Sequence, residues 1–247
     1  MKWVRKVMFF ITKAILRIFV RRPKYYFLGD FDLNSPAIYM SNHRGATGPI
    51  SNQLYFPVDF RFWGTHEMST TVKKRYNYLV NVFFYQGWNL KFKPLCHVLA
   101  CIAIAFVSAF YNCAKVIPTY EDNRLLSTYK ESIKVLTVNK ESIFIFPEDI
   151  SNGYFDEIGR VHSGYYLLGE RCLKKNIDLP IYLMYINKKQ NTVAIDKPVM
   201  FSSIISSGQT KEEFSEYIRT RINELGKLNK EILQKIAFKV SSLKEHK

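Results

Sequence analysis

The sequence predicts an α/β fold: a mostly parallel central sheet flanked by helices, with an amphipathic helix in front of it and a helical tail behind. Three observations carry that expectation. Runs that are apolar on both faces, Ile38-Tyr39-Met40, Ser142-Ile143-Phe144-Ile145-Phe146 and Leu179-Pro180-Ile181-Tyr182-Leu183-Met184-Tyr185-Ile186, have the character of central strands covered on both sides. Stretches with helical apolar spacing lie between them, and a strand, helix, strand order implies parallel neighbours with helices on the sheet faces. The 247 residues, 47% hydrophobic, suffice for one sizeable core. The expected organisation is an amphipathic helix over residues 1–24, an α/β domain over 25–205 and a helical region over 206–247.

The first element is a helix over residues 2–22, ended by Pro23. At 100° per residue, Lys2, Lys6, Lys13 and Arg17 share a face with Arg21 close by, and Val4, Ile11, Ile15 and Ile18 lie largely opposite. Such a helix either lies in a membrane interface, basic side toward the headgroups, or packs its apolar side on the domain. Trp3 and three phenylalanines exceed what a small docking face needs and favour the interface. The charge agrees with that choice. Of the net +15, residues 1–120 hold sixteen Lys and Arg against four Asp and Glu, and the remainder holds 20 against 17. A one-sided basic field attracts nucleic acid or an anionic membrane. Nucleic-acid arms are seldom so apolar, so the expected partner is an anionic membrane surface, with no nucleic acid. No cleavable secretory signal fits, because Lys13 interrupts the apolar stretch and no small-residue site follows.

Residues 36–43 follow as a strand and 49–56 as a helix, with Pro49 at a first helical position. Phe60-Arg61-Phe62-Trp63-Gly64 alternates as a second strand, and 69–93 fit no single period. Residues 94–114 carry no formal charge and approach the ~20 residues of a membrane span. His97, Ser108 and Asn112 within it favour a buried or half-embedded helix over a span. Val116-Ile117-Pro118 is strand-like, and Leu125, Leu126, Tyr129, Ile133 and Leu136 mark a helix from Arg124 to Val138. After the strand at 142–146, the polar loop 150–162 is long enough to be functional. A helix over Gly164–Lys174 leads to the long strand at 179–186. Thr192–Ile195 and Pro198–Phe201 read as short edge strands, and Thr210 with Glu213 forms a capping box for a helix to about Leu225 with a lysine-rich tail beyond. Cys96, Cys101, Cys113 and Cys172 have no metal spacing and read as buried free thiols of a reducing compartment; His66, His97 and His162 have no metal spacing either, so no metal and no cofactor is expected.

Ser41-Asn42-His43 ends the first strand, bends at Gly45 and enters the next helix, so His43 stands at the C-terminal edge of a sheet, where open α/β folds hold ligands. Phe146-Pro147-Glu148 ends another strand, and Ile117-Pro118 leads toward Arg124. A neutral histidine removes a proton from an alcohol near neutral pH, and arginine or backbone amides beyond strand ends hold phosphate. The order Ser41-Asn42-His43, Ile117-Pro118 with Arg124, Phe146-Pro147-Glu148, Gly164 and Leu179-Pro180-Ile181 resembles the glycerolipid acyltransferase family that includes the lysophosphatidic acid acyltransferases, over about residues 36–200.

The resemblance implies an acyl transfer from acyl-CoA or acyl-carrier protein to the hydroxyl of a glycerol-phosphate-type or lysophospholipid acceptor. His43 is then the general base, and Asn42, Arg44, Arg124, Phe146, Pro147 and Glu148 bind substrate. The location implied is the cytoplasmic face of a membrane, peripheral or partly embedded. Two positions depart from the family pattern. The aspartate that orients the histidine is expected at 48, where the sequence has Gly48, and Glu121 stands where the second block's arginine is expected, with Arg124 three residues later. Another carboxylate, Glu67 after the second strand or Glu148, is therefore expected to serve His43. The alternative is an acyltransferase fold that binds lipid without turning it over.

Overall fold

The computed structural model describes residues 2–237 apart from Leu33, Arg44, Ala46, Trp88 and 150–154. In chain order its elements begin with α1 (Lys2–Phe19), β1 (Lys24–Phe27), β2 (Ile38–Ser41), α2 (Thr47–Tyr55), β3 (Phe60–Thr65), α3 (His66–Ser69) and α4 (Val72–Tyr78), which a π-helix over Leu79–Gly87 continues. Next come α5 (Lys93–Cys113), β4 (Ile117–Thr119), α6 (Leu125–Lys134) with a π-helix over Val135–Asn139, β5 (Ser142–Ile145) and α7 (Gly164–Leu173). The remainder is β6 (Pro180–Asn187), β7 (Thr192–Ile195), β8 (Val199–Met200), α8 (Phe201–Ser206), α9 (Lys211–Lys227) and α10 (Lys230–Ile236). The result is an α/β fold with a mostly parallel sheet flanked by helices. The chain forms two compact units, one of Met1–Phe19 and Arg61–Thr128, the other of Val20–Phe60 and Tyr129–Lys247.

In the second unit the strand order is β1-β7-β6-β2-β5, with β8 beside the start of β6. β2 runs parallel to both β5 and β6, and β7 is antiparallel to β6. Register places Phe144, Tyr39 and Tyr182 in one row across β5, β2 and β6. Their rings lie 6.1 and 5.4 Å apart, and Phe56 at the end of α2 meets Tyr39 edge-on at 4.9 Å. This aromatic layer explains why the central runs are apolar on both faces: one side buries the row, and α9 lies against β6 and β7. The capping box expected for α9 is present, with Thr210 and Glu213 satisfying each other's backbone N–H.

β7 differs from the expected edge strand. All four of its residues are buried, because Lys24-Tyr25-Tyr26-Phe27, to which the sequence pattern assigned no element, pairs parallel along its outer side as β1.

In the first unit β3 and β4 pair in parallel, Trp63 opposite Ile117 and Thr65 opposite Thr119. The stretch that fitted no period contains α3, α4 and the π-helix. Bonding of the i→i+5 kind breaks the 3.6-residue period on which patterning relies. Met68, Leu79, Val80, Phe84, Cys96 and Ala100 form the core here. α1 packs on α5, with Phe9 and Phe110 in ring contact at 6.3 Å. The buried side of α5 carries Cys96, Ala100, Ala109 and Phe110, and Leu95, Val98, Ile102 and Phe106 are exposed.

Candidate active site

Parallel pairing of β2 and β5 brings their C-terminal ends together, which sets Asn42-His43 beside Phe146-Pro147-Glu148. Asn42 is wholly buried. Its Nδ2 donates to the Ile186 carbonyl at 3.2 Å and its Oδ1 accepts the Ile186 N–H at 2.7 Å, which extends the β2–β6 ladder by a side chain. The Ser41 hydroxyl donates to the same Oδ1 at 3.2 Å. The amide of Asn42 is thus engaged with the sheet, and it fixes the point at which the chain leaves β2 for His43.

The backbone N–H of His43 donates to Glu148 Oε2 at 3.0 Å. Glu148 is 5% exposed, and its own placement follows from the antiparallel bridge it forms with Val161. The Asp149 N–H donates to the Arg160 carbonyl at 2.9 Å and the His162 N–H to the Pro147 carbonyl at 2.7 Å. The described part of the expected functional loop is pinned in turn. Asn223 on α9 bonds both backbone groups of Ile158, at 2.8 and 3.0 Å, and the Tyr185 hydroxyl donates to the Asp156 carbonyl at 2.7 Å. His162, next to the Gly164 block, has an exposed side chain.

The half-buried imidazole of His43 packs on Phe146, ring centroids 4.8 Å apart. Its Nδ1 lies 2.9 Å from the Gly45 carbonyl oxygen. A carbonyl only accepts, so Nδ1 carries the hydrogen and Nε2 presents its lone pair. Burial pushes the imidazole down to about 4, against the Gly45 bond, which favours the charged form. His43 is therefore neutral at physiological pH and in the tautomer a general base requires. Gly45 supplies its carbonyl from a left-handed turn, φ +64°, that glycine adopts without strain.

Position 48 is closed to any side chain. A Cβ there would stand 2.3 Å from the His43 carbonyl oxygen and 3.3 Å from a methyl of Ile186. The turn packs tightly on Gly48, and the contact that fixes the tautomer of His43 comes from a backbone carbonyl. The sequence signal for this arrangement lies in Gly45 and Gly48 themselves, two glycines within five residues of a histidine.

Glu67 and Arg124 belong to the first unit, at the ends of β3 and β4. The carboxylate of Glu67 accepts from the Thr65 hydroxyl and lies 3.2 Å from His66 Nδ1. Burial opposes its charge, but Thr65, the backbone, His66 and Lys74 together hold it below the usual carboxylate range. Arg124 is exposed and bidentate to Asp122, at 2.7 to 3.0 Å, with its guanidinium 4.5 Å from the centre of the Tyr120 ring. That pairing draws Asp122 down to about 2. Tyr120 is in turn in tilted ring contact with His66, centroids 5.1 Å apart. Asp122 and Tyr120, which bind Arg124 on this surface, were not singled out from sequence. Arg44 lies outside the described residues. No group of three or more His, Cys, Asp or Glu among the described residues is placed to hold a metal ion.

No family model matches the chain, and no curated protein matches it by sequence. Among solved structures it is similar to the 1-acyl-sn-glycerophosphate (LPA) acyltransferase PlsC from Thermotoga maritima, with a TM-score of 0.50 at 12% identity, over 92% of this chain and 82% of that one. At that identity the likeness is one of fold: this chain has the architecture of an LPA acyltransferase structure.

Proposed function

We propose that the protein is an O-acyltransferase of the membrane surface, which moves an acyl chain from acyl-CoA or acyl-carrier protein to a glycerol-phosphate-type or lysophospholipid hydroxyl in phospholipid synthesis or remodelling. The observation that carries the reading is the neutral, tautomer-fixed His43 at a strand end, in a chain whose fold is similar to that of an LPA acyltransferase. Nε2 of His43 takes the acceptor's hydroxyl proton as the oxygen attacks the thioester carbonyl. The C–S bond then breaks, and the leaving thiolate takes the proton back from His43. Phe146, in tilted ring contact with His43, packs against the transient imidazolium. Glu148 acts through the backbone, as an anchor for the peptide that carries His43. Arg124 is the proposed anion-binding group for an acceptor phosphate, which would have to exchange with Asp122.

Membrane attachment is proposed through α1 and α5. Trp3, Phe10, Ile18 and Phe19 on α1 are each more than 70% exposed, and α5 exposes Val98 and Ile102. Residues Lys93–Tyr111 are long and apolar enough to cross a membrane by length and composition. Exposed apolar side chains on two helices that pack together support an interaction face, and the basic residues of α1 suit the anionic cytoplasmic leaflet.

The test is release of free CoA from palmitoyl-CoA by the purified protein, with a panel of lysolipids and glycerol phosphate in mixed vesicles. His43→Ala should lower acceptor-dependent release at least a hundredfold; equal release from that variant overturns the assignment. A second reading, lipid binding without turnover, is favoured by the closed position 48 and the paired Arg124. Retained lipid binding with no release across the whole panel would select it.

A further inference from the structure

Cys101 departs from the sequence expectation of a buried thiol. Of the four cysteines it is the exposed one, because it lies on the side of α5 turned away from Cys96 and Ala100. Two other groups stand beside it. Tyr76 on α4 places its hydroxyl oxygen 3.9 Å from Cys101 Sγ and 2.8 Å from Nδ1 of His97. His97 and Cys101 are four residues apart, on one face of α5. With Nδ1 as acceptor, the phenol hydrogen points at His97 and the phenol oxygen is open to the thiol hydrogen. The three side chains form a line from thiol to hydroxyl to imidazole.

The surroundings suit an amphipathic thioester. Lys91, just before α5, and Lys93, its first residue, hold their ammonium groups over the Tyr85 ring at 5.5 and 5.2 Å. Lys93, His97 and Cys101 follow at i, i+4 and i+8, so the thiol lies about 12 Å along the helix from the cations. Beyond and beside Cys101, exposed Val98, Ile102 and Phe106 make an apolar strip on which a chain could lie. Phosphate at one end and hydrocarbon at the other is the chemistry of an acyl-CoA.

We propose that Cys101 is a site of S-acylation by an acyl thioester, with Tyr76 and His97 as the proton relay. The Cys101 sulfur attacks the thioester carbonyl carbon while its proton passes to Tyr76 oxygen and the phenol proton passes to His97. The carbon–sulfur bond to the carrier breaks, and the carrier thiolate leaves with a proton from His97. One thioester is exchanged for another, with no oxidant or reductant. The product gives the protein a bound chain beside its basic α1, and one chain with a polybasic segment is the combination that anchors stably.

The inference rests on the reading of the protein as a handler of acyl thioesters at membranes, and the experiment separates the two. Full-length protein is incubated with palmitoyl-CoA and phosphatidylcholine–phosphatidylserine vesicles, and acyl groups are located by peptide mass spectrometry before and after neutral hydroxylamine. The expected result is a hydroxylamine-labile acyl group on the Cys101 peptide, absent from Cys101→Ser, with an initial rate at least tenfold lower in Tyr76→Phe and in His97→Gln. Tyr76→Phe keeps the ring and removes only the relay oxygen. Absence of label, equal label on Cys113, or undiminished labelling of both relay variants overturns the proposal. His43→Ala should still be labelled, and Cys101→Ser should still transfer acyl groups to lysolipid. Labelling without any transfer would remove the transferase reading alone; transfer without labelling would remove this one alone.

Discussion

A Cβ at position 48 would stand 2.3 Å from the His43 carbonyl oxygen, closer than real side chains approach, and the obstacle is backbone rather than a flexible side-chain end. Gly48→Ala should therefore destabilise the protein by about 1 to 3 kcal/mol, the usual cost of overpacking, which denaturant unfolding would measure. Gly48→Asp should lower acyl transfer rather than improve it, because the carboxylate can enter only if the turn that brings the Gly45 carbonyl to Nδ1 opens. The same turn sets the pH dependence. The neutral imidazole is the active form of a general base, so the rate rises with pH through its pKa and is level above it. Burial has lowered that value from 6.5 to about 4. We expect kcat/KM to stay flat from about pH 8 to about pH 5 and to fall with a midpoint near 4; a midpoint near the ordinary histidine value would show that His43 is solvated in the working protein. The place of His43 at a strand end was legible in sequence because strand, histidine, glycine and helix start form a local pattern. Its partners were less so: Gly45 acts through a carbonyl that every residue type possesses, and Glu148 reaches it across 105 positions of chain through a backbone N–H.

β2, β5 and β6 were readable as central strands because each is apolar on both faces, and their register then fixes which residues meet at the strand ends. Asn42 shows how closely the site depends on that register. It is 0% exposed, with both amide atoms engaged by Ile186. Asn42→Ala would leave the Ile186 N–H and C=O buried without partners, at about 1 to 3 kcal/mol for each such group. A loss of stability alongside the loss of activity is expected by thermal unfolding, whereas a residue that only touched substrate would leave stability unchanged. A second tie joins α9 to the sheet: Arg221 is bidentate to Asp196, which is almost completely buried after β7. Arg221→Ala leaves that carboxylate without its guanidinium. Because the arginine is itself one-third exposed, the expected cost is about 2 kcal/mol, below the range for fully buried pairs. β1 escaped sequence reading since Lys24-Tyr25-Tyr26-Phe27 is too short to show a period, and the π-helix over Leu79–Gly87 escaped because its period is not 3.6.

The excess of basic residues in the first 120 positions gives the chain an electrostatic direction, and the exposed apolar residues of α1 and α5 give it a hydrophobic one. The exposed apolar residues belong to the first unit, whereas the basic excess also includes Arg21, Arg22 and Lys24 of the second, and the two contributions to membrane binding can be separated by salt. Arg17 and Arg21 are exposed, and a basic residue near an anionic surface contributes roughly 1 kcal/mol. Arg17→Gln with Arg21→Gln should then weaken binding to phosphatidylserine-containing vesicles by about 30-fold at low salt. The difference from wild type should shrink as ionic strength rises and the Debye length falls from about 30 Å at 0.01 M to about 8 Å at 0.15 M. Neutral phosphatidylcholine vesicles should not distinguish the two proteins. Phe10→Glu with Ile18→Glu should behave differently. These side chains are 71% and 78% exposed, so replacing them leaves the α1–α5 contact through Phe9 and Phe110 in place. The double variant should fail to float with either kind of vesicle at any salt while its circular dichroism stays that of wild type. Flotation of that variant with neutral vesicles would mean that α1 is not the element that enters the interface.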